Sequence, residues 1–217
     1  MLGMESLELA AVSAQPSWNE RVNTHSKAAV SLDWDAQLML RVRDGDPASF
    51  SVLLGRHRVP LIHFLYRMVQ NQALAEDLAQ DVFLRVYRSR VAYQATAKFT
   101  TWLFRIATHL ALNWIRDSKN EKLQDSLDRQ GEDGTPRQLP DRARTIEQEL
   151  LYQVKIQEVR QAIGALPAKQ RAAVLLHKYE EMEYTQIAKV LNCSDAAVKS
   201  LLFRAYETLR GRLAHMA

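Results

Sequence analysis

Phe99-Thr-Thr-Trp-Leu-Phe-Arg-Ile-Ala107 sets aromatic residues beside Arg105 and just after Lys98. Rings give unstacked bases a stacking platform and cations follow a phosphate backbone, so this mixture suits single-stranded nucleic acid, where stacking contributes roughly 1–3 kcal/mol per base. A second group, Asp77, Gln80, Asp81, Leu84 and Arg88, is spaced i, i+3, i+4, i+7 and i+11. On a helix these residues form one continuous stripe. A polar stripe with an outward leucine suits docking on a protein, and a merely solvated helix face reads the same way. The third group is Thr185 to Leu191, the triplet Asn192-Cys193-Ser194, and Asp195 to Ala205. This is a helix-turn-helix pattern: Asn192 tolerates the left-handed turn position, and Ser194 is a good N-cap for the next helix. Ile187, Val190, Val198 and Leu202 supply its buried side, while Lys199, Phe203 and Arg204 lie outward with Ser200 near the edge. Lys199 and Arg204 suit phosphate contacts, which position a protein without reading sequence. Two amphipathic helices of an ordinary bundle remain the plain alternative.

Catalysis finds no comparable support. His25, His57, His63, His109, His177 and His215 show no metal-ligand spacing with Cys or Glu, and seven scattered glycines form no phosphate loop. Cys193 sits in the helix-turn-helix turn, where a small half-buried residue is the expected role. Asp44 and Asp46 flank a turn and do not continue as a calcium loop. No cofactor, no metal and no enzymatic activity are expected.

The elements that must position these groups are helices. From Asp35 an apolar pattern runs to the turn Asp44-Gly45-Asp46-Pro47, where Asp46 is the expected N-cap and Pro47 the first helical residue. A long apolar stripe from Phe50 to Met68 follows, interrupted only by Pro60. Leu74, Leu78, Val82 and Val86 predict a third helix to Tyr87, and Leu103, Ile106, Leu110 and Trp114 a fourth from Thr100 to Asp117. After a stretch rich in Gly, Pro and charge, further helices are expected over 146–164, 168–179, 185–191 and 195–213. The predicted fold is all-α, two small helical bundles joined by a flexible linker.

Composition agrees. A hydrophobic share of 47% and a charged share of 25% are ordinary for a globular protein, and 7 Gly with 6 Pro are too few for the turns of an all-β fold. The single cysteine excludes a disulfide framework and fits a reducing compartment. No run reaches the ~18 apolar residues of a membrane span. Glu5 and Glu8, without a basic region, argue against a signal peptide. A cytoplasmic protein with no membrane insertion is expected.

The formal net charge of +4 is uninformative until divided along the chain. Residues 1–36 carry −3, 37–116 carry +6, 117–150 carry −3 and 151–217 carry +4. Two basic blocks around an acidic one suggest two phosphate-facing modules.

Taken together, Ala75-Glu-Asp-Leu-Ala-Gln-Asp-Val-Phe83, the Phe99–Ala107 segment, Leu166-Pro-Ala-Lys-Gln-Arg171, and Val198-Lys-Ser200 with Arg204-Ala205 resemble the extracytoplasmic-function sigma factors of bacterial RNA polymerase. Each motif alone is weak; four in this order are specific. The resemblance implies an N-terminal arm over 1–35, a region-two domain over 36–116, a flexible acidic linker over 117–145 and a region-four domain over 146–217. It assigns docking on core RNA polymerase to Asp77, Gln80, Asp81, Leu84 and Arg88. Opening and reading of the minus-ten promoter element falls to Tyr93, Lys98, Thr101, Trp102, Arg105, His109, Asn113 and Arg116. Reading of the minus-thirty-five element falls to Arg171, Thr185, Ser194, Ala196, Ala197, Lys199, Ser200, Phe203 and Arg204. The linker is expected to enter the polymerase channels, its acidity standing in for nucleic acid. The implied partners are core RNA polymerase, promoter DNA and an anti-sigma factor.

The chain departs from the family pattern at several places. His109 stands where Asn is usual and Asn113 where Asp is usual. Ala196-Ala197 replaces Gly-Thr, and Leu201 and Tyr206 each replace an Arg. The lost cations predict weaker phosphate binding by the recognition helix. A stand-alone helix-turn-helix regulator of duplex operators is the competing reading, and it would need only the C-terminal motif.

Overall fold

The computed structural model describes residues 33–124 and 146–216. The expected arm up to residue 32, and the expected linker from 125 to 145, lie outside the described residues. Among the described residues every long element is helical. Helix α1 spans Trp34–Arg43, α2 Pro47–Val69, α3 Gln72–Arg88 and α4 Phe99–Gln124; α5 spans Ile146–Gly164, α6 Ala168–Lys178, α7 Tyr184–Leu191 and α8 Asp195–Arg212.

Capping chemistry sets most of these boundaries. Asp46 accepts from the backbone N–H of Ala48 at 2.9 Å and from the Ser49 hydroxyl at 2.7 Å, with Pro47 opening α2 as expected. The Ser49 hydrogen bond leads the interactions that hold the Asp46 carboxyl below its ordinary pKa. Asn71 caps α3 through Leu74 N at 2.9 Å. Gln70, at φ 58°, ends α2 in the left-handed region. The Phe50–Met68 stripe forms one helix despite Pro60, which lies on the exposed side. The Arg56 carbonyl, which proline cannot serve, therefore sits on the side open to water.

Two boundaries differ from expectation. The arm was expected to run to residue 35, yet Asp33 already caps α1, accepting from Ala36 N at 2.5 Å. The linker was expected from 117, but α4 continues to Gln124. Residues 117–124 contain no Pro or Gly, so nothing in the backbone stops the helix there.

In the first bundle α2 packs against α1, α3 and α4, with Leu61, Phe64, Leu65, Leu103 and Ala107 buried between them. The Phe64 and Phe104 rings meet edge to face at 5.1 Å. In the second bundle α6, α7 and α8 pack on one another around Leu175, Leu176, Ile187, Val198 and Leu202. The two bundles are themselves packed together. Helix α7 lies against α4, and α2 meets α5 and α6, so one hydrophobic cluster runs through both.

Candidate nucleic-acid interface

The α3 stripe forms as its spacing predicts. Ala75, Ala79, Val82, Phe83 and Val86 face the core, leaving Asp77, Gln80, Leu84 and Arg88 exposed and Asp81 half-exposed. Leu84 is 51% exposed although no core requirement holds it outward. Arg85, which the spacing argument missed, binds Asp81 at 3.1 Å across one helical turn. A partner taking Asp81 must therefore compete with that pair or accept it whole.

A second surface is built by the Tyr93–Lys98 segment and the start of α4. Trp102, Arg105, His109, Asn113 and Arg116 fall on one side of α4, and all but the half-buried Trp102 are exposed. Lys98 is exposed just before the helix. Arg116 pairs with Asp117 at 3.0 Å, which moderates its charge. Tyr93, Gln94, Trp102 and Arg105 line a cavity of about 520 Å³, with Lys189 of α7 on its wall. The Trp102 ring rests on Tyr93 at 4.9 Å and edge-on to Phe99 at 6.0 Å. Such a half-buried, ring-supported indole beside a guanidinium suits stacking with a flipped base.

Two residues expected to touch DNA at this surface are internal. Tyr93 is 5% exposed and Thr101 is 3% exposed. Tyr93 works from below, as the platform under Trp102. Burial, followed by the negative charges of Asp33 and Asp35, pushes its phenol up to about 12. Thr101 sits on the core side of α4, a placement that mixed aromatic and basic composition does not reveal.

The third surface is the helix-turn-helix. Asn192 adopts φ 51°, ψ 57°, the left-handed conformation anticipated for the turn. Ser194 caps α8 by accepting from Ala197 N at 3.2 Å. Glu183 opens α7, its backbone N–H donating to the Gln186 side chain at 2.9 Å. Lys199, Ser200, Phe203 and Arg204 share one shallow exposed surface of α8, with Phe203 67% exposed. Thr185, Ser194 and Ala196 are exposed nearby and Ala197 is half-buried. The half-buried thiol of Cys193 has its pKa raised by burial, which makes the thiolate scarcer.

Leu201 and Tyr206, which stand where arginines were expected, are half-buried and pack on the core. At Tyr206 burial raises the phenol pKa. Both positions therefore face inward here, and an apolar or aromatic residue is what that side accepts.

Arg171 departs furthest from expectation. It is placed away from the α8 surface, its guanidinium donating to the carbonyls of Met68 and Gly164 and, at 3.2 Å, of Leu166. The partial burial that this location imposes lowers its pKa. Its sequence neighbourhood gave no sign that the acceptors lie at two helix ends.

Among the described residues no group of three or more His, Cys, Asp or Glu is arranged to hold a metal ion. No helix among them is long and apolar enough to cross a membrane.

Comparison with known proteins agrees with this geometry. The family model described as Sigma-70 region 2 matches residues 53–121, and Sigma-70, region 4 matches residues 156–209. The RNA polymerase sigma-H factor of Pseudomonas aeruginosa is 31% identical over 178 residues, covering 81% of this chain and 91% of that protein. The ECF RNA polymerase sigma factor SigW of Bacillus subtilis is 29% identical, covering 80% of this chain and 93% of that protein. Among solved structures, the sigma factor RpoE in complex with the anti-sigma factor NepR, from Bartonella quintana, shares the fold with a TM-score of 0.61. It is 21% identical, and the match covers 76% of this chain and 96% of that one. A stand-alone operator-binding regulator needs no region-two match, so that reading is not favoured. Matches to both family models and to relatives along most of their length carry the conclusion: the chain belongs to the ECF sigma factors of RNA polymerase.

Proposed function

We propose that this chain binds core RNA polymerase through the α3 stripe and reads promoters through two surfaces. The exposed side of α4 from Trp102 to Arg116, with Lys98, takes the melted minus-ten strand. The Lys199–Arg204 surface of α8 enters the duplex major groove at the minus-thirty-five element. The carrying observation is Trp102, supported on Tyr93 and lining a cavity with Arg105. A duplex-only reader has no use for such a site.

The domain assignment follows the helices, with region two ending with α4 and region four beginning with α5. Acting as a polymerase subunit places the chain in the cytoplasm. The RpoE structure is a complex with an anti-sigma factor, which supports control of this chain by a partner of that kind.

In vitro transcription with and without core enzyme tests the proposal. Specific initiation is expected only when chain and core are combined, with weak binding of promoter duplex by the chain alone. Tight, sequence-specific duplex binding by the free chain, unaffected by core enzyme, would refute it.

A further inference from the structure

We infer that Trp34, with the Arg56 guanidinium against its ring, is a second base-stacking site for the melted strand, outside the Trp102 cavity. The inference rests on the reading of α4 as the minus-ten surface, whose single-stranded ligand it extends.

The first observation is an exposed ring that the fold does not require. Trp34 is the first residue of α1 and is 51% exposed. Leu38, Met39 and Val42 supply the buried side of that helix, so its packing needs no indole at the helix start. The Arg56 guanidinium lies 4.7 Å from the centre of the Trp34 ring, and half of the Arg56 side chain is exposed. A ring and a cation side by side, both open to solvent, are what an unstacked base and its phosphate take.

The second is the state of the local carboxylates. Asp35 is buried, its two oxygens lying 3.0 Å from Arg56 Nε and 3.0 Å from His57 Nε2. Asp33 is engaged by the backbone N–H groups of Ala36 and Phe99. Both negative charges of this corner are thus met from within the fold, while Arg56 and Lys98 keep exposed cationic side chains. An approaching phosphate meets cations first.

The third is continuity with the minus-ten surface. The Asp33–Phe99 hydrogen bond joins the start of α1 to the start of α4, so Trp34 opens beside the helix that carries Trp102. The Phe99 ring lies 6.0 Å from Trp102 on one side and 5.3 Å from His57, the neighbour of Arg56, on the other. Helix α1 also packs on the short helical turn Arg90–Ala92, which leads directly into the Tyr93–Lys98 segment. A strand with one base at Trp102 and its backbone crossing Lys98 comes to Trp34 next. The two indoles then hold bases on either side of the α4 start.

The test places a fluorescent purine in turn at each position of a single-stranded minus-ten oligonucleotide and its flanks, bound to holoenzyme. Two quenched positions are expected, one lost in Trp102→Ala and the other lost in Trp34→Ala but kept in Trp34→Phe. Trp34→Ala should weaken strand binding about fivefold or more. Trp34→Leu, which keeps apolar bulk without a ring, should lose as much. Core affinity and melting temperature should stay at the parent's values in all three Trp34 variants. Trp34→Ala that leaves every quenched position and the strand affinity unchanged, while Trp102→Ala removes one, would overturn the inference. So would a loss of core affinity or melting temperature that accounts for the weaker strand binding, since Trp34 would then serve a protein contact or the fold. Trp102→Ala without effect on strand binding or minus-ten preference would instead refute the reading of α4, and the inference would fall with it.

Discussion

One carboxylate oxygen of Asp33 accepts from the Phe99 backbone N–H at 3.2 Å, across 66 residues of chain, while the other caps α1 through Ala36. A single side chain thus serves the starts of two helices, one of them the helix proposed to take the minus-ten strand. Helix caps contribute about 0.5–2 kcal/mol each. Asp33→Ala is expected to cost roughly 2 kcal/mol, read as a lower urea midpoint. Asp33→Asn keeps one acceptor and should cost less. Equal losses for the two variants would contradict the double-cap account.

The exposure of Leu84 and the Asp81–Arg85 pair make core docking separable from folding. Asp81→Lys with Leu84→Lys is expected to weaken binding to core polymerase at least tenfold and to change the melting temperature by no more than about 2 °C, since surface substitutions are usually within ±0.5 kcal/mol. Unaltered core affinity in a pull-down titration would sink the docking assignment.

His109 is exposed between Arg105 and Asn113 on the same side of α4. His109→Asn restores the residue usual in the family. Its holoenzyme should change preference at one minus-ten position, by about 1–2 kcal/mol of discrimination, more than it changes overall promoter affinity. Transcription from a panel of minus-ten variants reads this directly. A uniform loss across the panel would argue for a purely structural residue.

Arg171 connects helix ends, so its removal should act on stability. Arg171→Ala leaves carbonyls unpartnered and is expected to cost about 3 kcal/mol in chemical denaturation. Minus-thirty-five sequence preference should be preserved in the folded fraction. A shifted preference at unchanged stability would return Arg171 to the DNA surface.

Glu180 supplies a pH signature. Burial pushes its carboxyl up to about 7, with the Arg67 charge acting in the opposite sense. A carboxyl whose pKa is raised by folding holds its proton more tightly in the folded chain. Its ionisation therefore costs stability as pH rises from about 4.5 through 7, and the cost is absent below that window. Glu180→Gln should melt higher than the parent at pH 8, with the gap closing by pH 4.5. A gap that widens toward acid would mean that the carboxylate is stabilised where it sits.

The fold is largely legible in the sequence, because its signals are local. Asp46-Pro47, Asn192 and Ser194 announce their own backbone states, and the α3 stripe follows from helical period alone. Misplacements arose where the deciding partner is distant in sequence. Tyr93 and Thr101 look like DNA contacts until Tyr93 is found packed under Trp102 and Thr101 on the core side of α4. Arg171 is expected at the minus-thirty-five element until Met68, 103 residues earlier, appears as its acceptor. No motif around Lys189 announces that α4 faces it. Asp33 and Arg67 carry no motif either. Which bundle face meets which is a property of summed weak contacts, and spacing within one helix does not encode it.

The continuation of α4 to Gln124 has a consequence for promoter architecture. Eight residues expected to extend at ~3.4 Å each rise by ~1.5 Å each as helix, removing roughly 15 Å of tether. From the end of α4 to the start of α5 at Ile146, twenty-one intervening residues span at most ~75 Å of contour. Slack between the two reading surfaces is smaller by that ~15 Å than a tether beginning at residue 117 would leave. Each base pair added between the promoter elements, ~3.4 Å of duplex, draws on what remains, so natural promoters of this subunit should tolerate long spacers less well than that longer tether would allow.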